Sequence, residues 1–67
     1  MLFKTNVTSD ETMDGLKSAF QSDRRIWVMG WEKDSDGYII VTVEAEFDSA
    51  EMIAKFNQVG YTATLCA

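Results

Sequence analysis

The hydrophobic period of this chain switches from about 2 residues to about 3.6 and back, then does so again, within 67 residues that contain no proline. So short a chain can satisfy that pattern only by laying amphipathic helices on a half-buried sheet. In LFKTNVT, Phe3 and Val7 alternate with Lys4 and Asn6, the signature of a strand with one wet face. From residue 9 onward Met13, Leu16 and Phe20 recur at helical spacing, leaving Asp10, Asp14, Lys17 and Gln21 for water. IWVMGWE then predicts a strand with Trp27, Met29 and Trp31 on one face and Val28 and Gly30 on the other. KDSDG reads as a turn. YIIVTVEAEF returns with Ile39, Val41, Val43 and Ala45 opposite Ile40, Thr42, Glu44 and Glu46, which makes the pair a hairpin. Met52, Ile53, Phe56 and Val59 form the apolar side of a second helix that Gly60 stops, and Ala63 and Leu65 alternate with Thr62, Thr64 and Cys66 in a last strand.

Both helix starts carry capping-box spacing. Thr8 with Glu11 is expected to open the first helix, and Asp48 with Glu51 the second. The resulting order is βαββαβ, an α+β, ferredoxin-like sandwich in which a four-stranded antiparallel sheet carries both helices on one face. Residues 1–67 form one domain. The expected core is Phe3, Leu16, Phe20, Met29, Trp31, Val41, Val43, Ile53, Phe56 and Leu65. The open sheet face is expected to carry Lys4, Asn6, Val28, Ile40, Thr42, Thr62 and Cys66, with Val28 and Ile40 in reach of each other.

Charge narrows the partners. Six basic against eleven acidic residues give a net charge of -5, so a nucleic-acid backbone is repelled. No apolar run approaches the ~18 residues of a membrane span, and MLFKTNV lacks the form of a secretory leader, so the expected compartment is the cytoplasm. A single cysteine, Cys66, excludes an internal disulfide. With no histidine, no Ser/His or Cys/His arrangement and no Gly-rich phosphate loop, an enzyme is not expected. DSDG at 34–37 has the look of a calcium loop, but a frame opening at Glu32 would need a bidentate acid where Val43 stands, and helices where strands are expected. It reads as a hairpin turn.

FKTNV before the first loop, VTVE at 41–44 and VGYTA at 59–63, in this element order, resemble the heavy-metal-associated domain family of soft-metal chaperones and metal-ATPase domains. That family binds Cu(I) or Zn(II) through a Cys-x-x-Cys pair in the first loop, where soft thiolates at a helix start select such ions. Alignment on TNV puts Ser9 and Thr12 at the two ligand positions, and both are hard, neutral hydroxyls. The resemblance therefore implies a degenerate domain without a soft-metal site or cofactor of its own. Its first loop remains as a docking edge for a protein partner, made of Thr8, Ser9, Asp10, Glu11 and Thr12 with Tyr61 of the family's GY position beside it. A monomer or weak dimer is expected. The alternatives are a metal-handling chaperone that uses other ligands, such as the thioether of Met13, a hard-cation site at Asp10, Glu11 and Asp14, and an ACT-type regulatory domain, which shares the element order and binds small molecules.

Overall fold

The computed structural model describes residues 1–66, in which six elements follow one another: β1 (Leu2–Thr5), α1 (Asp10–Phe20), β2 (Ile26–Lys33), β3 (Ile39–Ala45), α2 (Ser49–Gln58) and β4 (Ala63–Leu65). The strands form one antiparallel sheet in the order β2-β3-β1-β4, so the ferredoxin-like α+β architecture expected from the periodicity is present. Phe3 sits opposite Val41 on one side and Leu65 on the other, which places these side chains on a common sheet face. Against that face the helices bury Met13 and Phe20 from α1 and Met52 and Phe56 from α2. The Phe20 and Phe56 rings meet edge to face, their centroids 5.1 Å apart, and join the two helices. Ile39, Val41 and Val43 complete the layer from the central strand β3.

Glycine ends two elements for a conformational reason. Gly37 closes the β2–β3 turn at φ 87° and Gly60 follows α2 at φ 90°, a region where a Cβ is strained. At Gly60 the chain makes a Schellman ending: the Gly60 amide donates to the Asn57 carbonyl (3.1 Å) and the Tyr61 amide to the Phe56 carbonyl (3.0 Å). At the opposite end of the sheet, Arg25 pairs with Asp23 (2.7 Å) and Glu51 (2.6 Å), Lys55 reaches Asp23 (3.1 Å), and the Arg25 guanidinium lies over Phe47. This cluster ties the start of α2 to the connection before β2.

Several expectations on side-chain placement are corrected. Trp27 does not follow the alternation that put it on one face with Met29 and Trp31: it is 59% exposed because the β2–β3 register slips between Ile26 and Val28, leaving Trp27 as the extra residue of a bulge and turning Ile26 inward instead. Leu65 points to the helix side but stays 43% exposed, since it ends a three-residue edge strand with no neighbour beyond it. Val59 is exposed as well, because the helix ends at Gln58 and Val59 is already the cap. Val28 and Ile40 do not touch. Val28 lies opposite Glu44 and Ile40 opposite Glu32, with the Gly30–Thr42 rung between them. Trp31, Leu16 and Ile53 pack at the margin of the core, while Phe3, Phe20, Met29, Val41, Val43 and Phe56 are buried as the alternation requires. Cys66 is a free, exposed thiol.

With a single core layer, removal of either joining ring is costly. Phe56→Ala or Phe20→Ala is expected to lose about 3 to 5 kcal/mol in urea melts, whereas Trp27→Ala is expected to lose less than about 1 kcal/mol, as for an exposed position.

Candidate functional site

The first loop leaves the sheet through a buried hydroxyl. Thr5 is 4% exposed; its Oγ1 donates to the Ile39 carbonyl (2.8 Å) and accepts from the Val7 amide (3.2 Å). A valine there would remove both hydrogen bonds and leave the buried Val7 amide without its acceptor. Asn6 next fastens the loop to the segment before β4: its amide donates to the Thr62 carbonyl (3.2 Å), and its Oδ1 accepts from the Thr62 amide (2.9 Å). Sequence reasoning missed both roles. The signal available for Thr5 was its parity with Phe3 and Val7; a side chain bonded across 56 positions left none for Asn6.

Beyond Val7 the chain enters α1, and the entry differs by one residue from expectation. The N-cap is Ser9, not Thr8: the Ser9 Oγ accepts from the Thr12 amide (3.3 Å), and the Met13 amide donates to the Ser9 carbonyl (3.0 Å). The capping box expected of Thr8 with Glu11 is therefore absent, because the residue three positions after the true cap is Thr12, which has no carboxylate to reach back. Thr8 and Glu11 are both exposed. In α2 the cap falls where expected: the Asp48 Oδ1 accepts from the Glu51 amide (3.1 Å), but the Glu51 carboxylate turns to Arg25 instead of closing the box.

Thr8, Ser9, Asp10 and Glu11 are exposed, Thr12 is half-buried, and Tyr61 packs against the core next in the chain to Thr62, which is bonded to Asn6. Lys33, at the end of β2, reaches Asp10 at 3.2 Å. Met13, the sulfur nearest in sequence, is fully buried in the core. Among the described residues no group of three or more His, Cys, Asp or Glu side chains converges as a metal site. Asp10 and Asp14 lie one turn apart on the same face of α1 with Glu11 beside them, and the Asp10 carboxylate is taken up by Lys33.

The DSDG turn is occupied from within the chain. The Lys4 ammonium projects from the open face of β1 and lies 2.6 Å from carboxylate oxygens of both Asp34 and Asp36. Asp34 also accepts from the Ser35 amide and Asp36 from the Tyr38 amide. The Lys4 hydrogen bonds hold both carboxyl groups below the usual range, and Lys4 is pushed above the usual lysine range by Asp34 first and Asp36 second. Two converging carboxylates thus serve a lysine, and the turn is pinned to the middle of the sheet. No helix among the described residues is long and apolar enough to cross a membrane.

No family model matches the chain, and no curated protein or solved structure matches it significantly. Its class therefore rests on its own architecture: a ferredoxin-like α+β domain.

Two outcomes check this geometry. Ser9→Ala is expected to cost about 1 kcal/mol in urea melts, and Thr8→Ala close to nothing; the reverse order would restore the Thr8 cap. In an NMR pH titration the Asp34 and Asp36 carboxyls are expected to titrate below the ordinary value of about 3.9. A depressed folded-state value means that their stabilising contribution is present above that ordinary value and is lost as pH falls through the folded one. Lys4→Met is expected to return both midpoints upward.

Proposed function

We propose that this chain is a heavy-metal-associated-like domain that acts as a protein-interaction module, with neither a soft-metal site nor catalysis of its own. One observation carries the reading: the Ser9 hydroxyl, at the first ligand position of the resemblance, is spent on capping α1 through the Thr12 amide. A neutral oxygen that already accepts a backbone hydrogen bond offers a soft ion neither charge nor polarisability. What the loop retains is a surface. Thr8, Ser9, Asp10 and Glu11 are exposed, and Tyr61 gives them an aromatic neighbour of the kind that anchors protein contacts. The rim carries Asp10, Glu11 and Asp14 on a chain of net charge -5, so the partner it fits presents a basic patch. An exposed, unpaired thiol at Cys66 fits the reducing cytoplasm.

The test exploits the spacing of the two hydroxyls. Ser9 is the cap and Thr12 sits three residues on, at a helix start, where a thiol's pKa is lowered. Ser9→Cys combined with Thr12→Cys is expected to create a stoichiometric Cu(I) or Zn(II) site without refolding the domain. Either single variant is expected to bind far more weakly, and wild type to lose both ions to a modest competing chelator. A wild-type complex that survives the chelator overturns the proposal. A double variant that binds nothing overturns the loop alignment on which the resemblance stands.

A further inference from the structure

The sheet has two edges of unequal character. β4 is three residues long, whereas β2 spans eight and has nothing beyond it in the sheet. On β3 the Ile39 and Val43 amides donate toward the β1 side, to the Val7 and Met1 carbonyls, so the even-numbered residues of β3 are the ones bonded to β2. The register pairs them with Val28, Gly30 and Glu32. The N–H and C=O groups of Met29, Trp31 and Lys33 therefore point away from the sheet, along a regular stretch that starts after the bulge and contains no proline.

We infer that this edge pairs with the β2 edge of a second copy of the chain, antiparallel, about a two-fold axis at Gly30. The axis sets Met29 of each copy beside Trp31 of the other, where the two residues exchange backbone hydrogen bonds and their side chains continue the helix-side core across the junction. It also sets Lys33 beside Trp27 of the other copy, which closes the paired stretch at the bulge. Gly30 faces Gly30, where the open sheet face offers a Cβ nothing within 4 Å. Charge favours the antiparallel sense. Arg24 precedes the strand and Glu32 ends it, so the antiparallel sense carries each copy's Arg24 toward the other's Glu32 end, whereas Arg25, Lys33, Asp34 and Asp36 are paired within their own chain. Among the described residues Arg24 and Glu32 take part in no ion pair. The pairing uses the sheet edge and leaves the first-loop rim free, so it does not depend on the function proposed above.

Sedimentation and amide exchange by NMR, run from micromolar to millimolar protein, test the pairing together. The expected result is a monomer–dimer equilibrium in which the Met29, Trp31 and Lys33 amides slow by about tenfold or more as dimer forms, while Val28, Gly30 and Glu32 are protected at every concentration. Gly30→Lys places two ammonium groups face to face at the axis and is expected to abolish the dimer. Arg24→Glu, which cannot disturb the core, is expected to weaken it by bringing an acid toward the other copy's Glu32 end. A chain that stays monomeric throughout, or a dimer in which those three amides still exchange freely, overturns the inference.

Discussion

Everything in this domain leans on the contact between one sheet face and two helices, and Phe3 stands at its centre. It is fully buried, flanked by Val41 across one ladder and Leu65 across the other. Burying a side chain of that size contributes about 1.5 to 3 kcal/mol, against a total stability of only about 5 to 15 kcal/mol for a typical domain. Among the described residues no second layer covers the other face, which carries polar side chains beside Val28 and Ile40. Lys4, which follows Phe3 and points the other way, binds both acids of the β2–β3 turn. One strand thus fixes the core through one residue and the hairpin turn through the next.

The same economy shapes the first loop. Where β1 leaves the sheet, the backbone groups it stops pairing are taken up by Thr5 and Asn6, and the latter bonds to Thr62 just before β4. The loop is therefore held by two strands before the helix begins. Ser9 then caps α1, and the acidic residues that follow it, Asp10 and Glu11, complement the positive end of the helix dipole.

Opposite ends of the sheet are braced in different ways. Beside the first loop the bracing is neutral hydrogen bonding together with the Lys33–Asp10 pair and, at the adjoining β2–β3 turn, the pairs of Lys4 with Asp34 and Asp36. At the far end it is a charged cluster around Arg25, whose partners Asp23 and Glu51 come from the connection before β2 and from α2. Hydrogen bonds from Arg25, and then from Lys55, hold the Asp23 carboxyl well below the usual carboxylate range. Each exposed pair contributes little by itself, but together they fix the angle at which α2 starts over the sheet.

Element order, the identity of both helices and the inward set Phe3, Val41, Val43, Phe20 and Phe56 were legible in the sequence, because alternation and helical spacing are local consequences of backbone geometry. So was the Asp48 cap, whose acceptor and donor lie three residues apart. What local pattern could not decide was anything set by a neighbour distant in the chain. The bulge that expels Trp27 and draws in Ile26 exists only because β3 imposes its register on β2. The choice of Ser9 over Thr8 follows from where Thr5 and Asn6 anchor the loop to Ile39 and Thr62, residues far along the chain. The two acids of DSDG, which in sequence suggest a cation, meet theirs in Lys4, and only the antiparallel pairing of β1 with β3 brings that lysine within 2.6 Å of them.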